Sequence, residues 1–296
     1  FKMAEQVESC TTPSDIKIDS QPLSSYLQRI SEDIDKNIHD ATEETSQFLQ
    51  HCKNKCSSLL QSSQAQDLTP ASQKSVLQDT AHMVLDYTYL DETLLAEAEF
   101  PAENATDRIN AIFDQLDQTC KVANECFQNK PVLETLGEEL VECIHWRKGA
   151  LLYMYCHTLE SNNRLCDPSK YKQCLEEGVG HLEDMLSTRQ PTAVPNSLSA
   201  DDTLQLFSQG VYSDTHLLAM MYAGEMCYWY QQAVDKQLFS PDTPGSPGTG
   251  DSNAFNAKTQ GLRYLDRYLS AVKGPLKGQD WNTSRAEEIV KFLQSH

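Results

Sequence analysis

Residues 131–159 read PVLETLGEELVECIHWRKGALLYMYCHTL, and this stretch decides the fold class. Leu133, Leu136, Leu140, Ile144, Leu151 and Tyr155 recur at helical steps, which predicts one long helix opened by Pro131. Its second half, Gly149 to Cys156, is apolar all round, and a helix without a polar face belongs inside a bundle. A second segment of the same kind starts at Ser213 and runs from Leu217 to about Phe239. No stretch of useful length alternates apolar and polar residues with period two, so no sheet is expected.

The surrounding chain has the same helical period. Leu23, Leu27, Ile30, Ile34, Ile38, Ala41, Thr45, Phe48, Cys52 and Leu59 form one stripe. They predict a single helix of roughly 35–40 residues from Pro22. Thr69-Pro70 opens the next helix, with Val76, Thr80, Met83, Tyr87, Leu90 and Leu94 as its buried face, ended by Phe100-Pro101. Shorter helices follow around Ile109–Leu116, after Asp167-Pro168, up to Gly210, over Leu262–Val272 and from about Thr283. The expectation is an all-α bundle of about seven to nine helices, with the two apolar helices at its centre. It comprises a flexible tail at 1–21 and one helical domain at 22–296. A mobile Pro/Gly/Ser loop at 240–253 interrupts that domain.

The chain has 296 residues and a net charge of −19, an unfavourable balance for gripping nucleic acid. The acid is concentrated. Residues 76–145 hold 3 basic and 15 acidic side chains, a balance of −12, whereas residues 253–296 hold 7 and 4, a balance of +3. Most such acids coat solvated helix faces. A cluster of them also speeds the capture of a basic partner, which makes Asp86, Asp91 and Glu92 the candidate partner-binding acids. The longest mostly apolar run, His216–Tyr230, is broken by Glu225 and falls short of the about 20 apolar residues a membrane span requires. No basic start followed by an apolar run opens the sequence, and the ten cysteines show no C-x-x-C. A cytoplasmic chain with reduced, mostly buried thiols and no integral membrane contact is expected.

No catalytic constellation is complete. Glu142-Cys-Ile-His145 has the Glu-x-x-His spacing of di-iron bundles, but the second copy such sites require is missing. Cys52 and Cys56 near His51 lack a second ligand pair for zinc. Asp201-Asp202 suits a helix start better than a magnesium cluster, and no phosphate-binding Gly-rich loop or nucleophile elbow occurs. No cofactor, metal or catalytic residue is expected. His157 and His216, each within an apolar helix, read as core histidines. One alternative remains open at this level: an all-α small-molecule-binding domain or enzyme. Its pocket would lie around Trp146, His157 and Glu225, with Tyr153, Tyr155, His216 and Trp229 lining it. Close crossing of the two apolar helices is expected at Gly149 and Gly224.

Four segments carry a family resemblance: Leu85–Glu92 followed by Glu99-Phe-Pro101, Trp146–Leu159, Phe207–Trp229, and Gly274-Pro-Leu-Lys-Gly-Gln-Asp-Trp-Asn-Thr283. They resemble the Rab-seven-interacting small helical subunit of the metazoan Mon-one–Ccz-one guanine-nucleotide exchange complex. The likeness runs from about residue 76 to the end, while the first ~70 residues share helical character only and the 240–253 loop does not match. Trp146, Arg147, Tyr153, Tyr155, His157, Ser213, Asp214, His216, Glu225, Trp229 and Trp281 are its landmarks, without assigned roles. The resemblance implies a non-catalytic adaptor that binds the exchange-factor complex and the GDP form of the Rab-seven GTPase. It further implies a cytoplasmic chain recruited peripherally to late endosomes, autophagosomes or damaged mitochondria, where it supports late-endosomal, autophagic and mitophagic traffic.

Overall fold

The computed structural model describes residues 19–39, 41–65, 69–128, 130–164, 167–190, 200–239 and 255–295. The expected tail at 1–21 and loop at 240–253 therefore lie almost wholly outside the described residues. Among the described residues there are eleven helices and no strand, as an all-α chain requires. They are α1 (Gln21–Ile38), α2 (Glu43–Ser63), α3 (Pro70–Glu97), α4 (Ala105–Cys126), α5 (Val132–Leu136), α6 (Glu138–Ser161), α7 (Pro168–Thr188), α8 (Ala200–Ser208), α9 (Asp214–Asp235), α10 (Ala257–Lys273) and α11 (Ser284–Ser295).

Eleven helices replace the seven to nine expected because two long stripes each break once. The amino-terminal stripe breaks before Thr42, whose extended backbone and side-chain oxygen, accepting from the Thr45 N–H, start α2 afresh. Glu43 and Glu44 then complement the positive end of the new helix. The stripe of 131–159 breaks at Gly137. Its φ of +92° lies in the left-handed region that favours glycine, and it separates α5 from α6.

The contacts group into two compact units, residues 1–87 with 117–137 and residues 88–116 with 138–296. Two of the three divisions fall inside α3 and α4, where the periodicity runs on without a mark in composition, and the third follows Gly137, between α5 and α6. In the first unit α1 packs along α2. Leu23, Leu27, Ile30 and Ile34 of α1 and Leu49, Cys52, Cys56 and Leu59 of α2 are buried there. The Cys56 thiol donates to the Leu27 carbonyl, and burial pushes its pKa up to about 11. Tyr26 and Thr119 share a buried hydroxyl–hydroxyl hydrogen bond of 2.9 Å, and the Gln78 amide donates to the last carbonyl of α5, that of Leu136.

In the second unit α6, α7 and α9 pack against one another, α10 packs on α9, and α11 rests on both α9 and α10. The glycines set these spacings, but not as the sequence suggests. A Cβ at Gly149 would meet Leu182 of α7 at 2.6 Å, and one at Gly224 would meet Leu265 of α10 at 2.5 Å. The close approaches are therefore α6–α7 and α9–α10. No helix among the described residues is long and apolar enough to cross a membrane, and the eight described cysteines are free thiols.

Candidate functional site

Where α6 faces α9, helical spacing places Trp146, Tyr153 and His157 on one side and Tyr222, Glu225 and Trp229 on the other. Their rings form a ladder. Tyr222 stacks on Tyr153 with centroids 3.7 Å apart and planes 5° from parallel. Trp146 stacks on Tyr222 at 5.8 Å, Trp229 on Tyr153 at 5.5 Å, and His157 closes the end 6.0 Å from Trp229. Such stacking adds about 0.5–1.5 kcal/mol per pair beyond the area buried.

Glu225 lies under the ladder, buried, with both oxygens engaged. Oε2 accepts from the Tyr153 hydroxyl at 2.9 Å, and Oε1 accepts from Arg285 Nε of α11 at 2.7 Å. The guanidinium also donates to Glu288 and covers the Tyr228 ring at 4.9 Å. Burial, reinforced by the negative Glu225 that its hydroxyl faces, raises the Tyr153 pKa, so the phenol stays a donor. This arrangement clamps α6, α9 and α11 together. Among the residues expected to line a pocket, Trp146 and Tyr153 stack on the two faces of the Tyr222 ring. That residue drew no attention in the sequence, although its Tyr222-x-x-Glu225 spacing was visible.

The other landmarks serve different contacts. Tyr155 faces away from the ladder and meets the Phe100 ring edge-on at 5.6 Å. His157 is exposed, not a core histidine. His216 is buried and caps α9: its Nδ1 accepts from the Ser213 N–H at 3.2 Å, which leaves the proton on Nε2, 3.5 Å from Glu142 Oε1. Glu142 also accepts from Arg189. Burial pushes the Glu142 carboxyl up, but the hydrogen bonds from His216 and Arg189 and the Arg189 charge outweigh it and hold the pKa below the ordinary glutamate range. Asp214 is exposed in the first turn of α9, where its charge suits the helix end. Trp281 lines an open groove of about 400 Å³ with Val272, Lys273, Leu276 and Lys277.

The three candidate partner-binding acids differ. Asp86, in the first unit, is exposed beside Lys55 at 3.5 Å. Asp91, in the second, is partly exposed and accepts from Arg108. Glu92 is buried, at 5% exposure, and receives two hydrogen bonds from Arg147 at 2.6 and 2.7 Å. It sits on the same side of α3 as buried Thr88 and Leu95, so it cannot belong to a solvated acidic face. The Glu142-x-x-His145 pair also separates, since Glu142 turns to Arg189 and His216. His145 instead meets α7, where its donor atom and those of His181 and Asp184 lie within 4.8 Å of one another.

A family described as "RAB7A-interacting MON1-CCZ1 complex subunit 1" matches residues 48–294, from within α2 to the end of α11. This chain belongs to that family. Relatives bearing the same description include one from Danio rerio, 37% identical over 228 residues, which cover 76% of this chain and 80% of the relative. The relative from Mus musculus is 36% identical over 71% of this chain and 75% of its own length. That from Homo sapiens is 35% identical over 71% and 74%. No solved structure matches the chain. The family match spans the ring ladder, the Glu225–Arg285 clamp and the Glu92–Arg147 pair, whereas α1 lies before it.

Proposed function

We propose that this chain is a non-catalytic adaptor subunit of a MON1–CCZ1 exchange-factor complex, binding both that complex and the GDP form of a RAB7A-type GTPase. In this reading it is cytoplasmic and is recruited peripherally to late endosomes, autophagosomes or damaged mitochondria, where it supports their traffic and clearance. The observation that carries the reading is family membership over residues 48–294, with relatives named for RAB7A and MON1–CCZ1. The exposed Asp86 and the partly exposed Asp91 are candidate steering charges, each taken singly. Glu92 is withdrawn from that role because it is buried against Arg147.

The test is capture on immobilised full-length chain. Purified MON1–CCZ1 and RAB7A, the latter loaded with GDP or a non-hydrolysable GTP analogue, are passed over it. Retention of the complex, with GDP-loaded RAB7A held more strongly than the GTP form, is the expected outcome. Equal retention of both nucleotide forms would remove the GDP preference, and no retention of either protein would remove the adaptor reading. Imaging of the tagged chain before and after mitochondrial depolarisation tests the recruitment.

A further inference from the structure

We propose that His145, His181 and Asp184 form a binding site for one divalent transition-metal ion of the zinc class, with a coordination position open to water. His181 and Asp184 stand three residues apart on α7 and so share a face, and His145 approaches them from α6. The close approach of the two backbones is built in at this level. Gly149, one turn beyond His145, meets Leu182, the neighbour of His181, so closely that a Cβ would lie 3.2 Å from the Leu182 backbone nitrogen. The Phe113 ring meets His181 edge-on, with centroids 5.7 Å apart and planes at 90°, and restricts how far that imidazole turns.

The donor spacing suits a small tetrahedral ion. Zinc holds imidazole nitrogen and carboxylate oxygen at about 2.0–2.2 Å, which puts neighbouring donors about 3.3 Å apart. His145 Nδ1 and Asp184 Oδ2 already stand 3.6 Å apart, and no pair in the set exceeds 4.8 Å. Closing the set therefore needs no donor separation to shrink by more than about 1.5 Å. Two imidazoles and a carboxylate are the donors that zinc, copper, iron and nickel favour over magnesium or calcium. The Asp184 side chain is 61% exposed, which leaves the water side of the site open. Sequence reading missed the set because its ligands come from two helices, and only the His181-x-x-Asp184 half has a readable spacing.

Calorimetric titration of the full chain with zinc chloride tests the site, with the visible absorption of added cobalt(II) reporting tetrahedral geometry. One ion per chain is expected, together with a zinc-dependent rise in thermal midpoint. His145→Ala, His181→Ala and Asp184→Asn should each weaken binding about tenfold or more. His82→Ala, an exposed histidine elsewhere, should leave it unchanged. Asp184→Asn alters an exposed side chain and keeps the test sound should a histidine variant fold poorly. Absence of zinc binding in the parent would overturn the proposal. So would zinc binding of undiminished affinity in Asp184→Asn and in whichever histidine variants fold.

Discussion

Asp86 and Glu92 share α3, carry the same charge and fall in the same acidic block, yet they lie in different regions. Asp86 belongs to the first unit, faces water and touches Lys55 at 3.5 Å. Glu92 belongs to the second, is buried, and is gripped by the Arg147 fork, which also covers the Tyr89 ring at 5.0 Å. The difference extends beyond one helix. Buried order in the first unit rests on a leucine, isoleucine and cysteine stripe, with hydroxyl pairs such as Tyr26–Thr119. The second unit places carboxylates in or at the edge of its interior and matches them with arginines, in Glu92–Arg147 and Glu225–Arg285, whose glutamates are buried, and in Glu142–Arg189, whose glutamate is half-buried. A buried ion pair adds little net stability over an apolar pair of similar shape, but removing one partner strands a charge. The second unit should therefore be the one that a single charge change breaks.

The largest effect is expected from Glu92→Lys. Two cations would then face each other where Arg147 is only 15% exposed, and the cost should be about 3–5 kcal/mol by denaturant unfolding. A loss below 1 kcal/mol would show that the pair is more open to water than its geometry indicates. Gly149→Ala should cost about 1–3 kcal/mol, because Leu182 and its backbone must give way. Gly180→Ala on α7 meets nothing within 4 Å, and should instead stabilise by about 0.5–1 kcal/mol. Equal effects at the two positions would remove the close-approach argument.

The pH response should separate the carboxylates within the second unit. The Glu142 pKa is held below its unfolded value, so its contribution is present above about pH 4.3 and is lost as pH falls through the folded value. Burial raises the Glu92 pKa despite Arg147, so its contribution has the opposite sign and fades as pH climbs through the folded value. Glu142→Gln should therefore flatten the loss of stability between about pH 5 and 3 relative to the parent, measured by thermal midpoint. An unchanged acid limb would show that Glu142 is not held low in the folded chain. The smallest effect on stability is expected from Asp86→Lys, within about 0–1 kcal/mol because the pair with Lys55 is exposed. Its signature would be slower association with the exchange-factor complex at low salt, converging on the parent rate as salt screens the charge. A parent-like rate at low salt would leave Asp86 as solvated surface only.

Helical period alone sufficed for the all-α class and for most helix positions, since a stripe at three- and four-residue steps is a property of the local chain. The breaks at Thr42 and Gly137 were visible as residue types, but one depends on a cap and the other on a backbone angle that the stripe does not encode. The landmark residues were likewise legible as a set, whereas their roles were not. Tyr153, Glu225 and Arg285 meet only because α6, α9 and α11 pack together, and Tyr155, one residue pair along the same helix, faces away to Phe100.

Composition determined that this chain is acidic, its apolar period that it is helical, and its motifs carried the family resemblance. Only the tertiary structure decided which acids are surface and which are interior. Charge is written in the residue, but burial depends on what another helix brings to it: Arg147 from α6 to Glu92, and open water to Asp86.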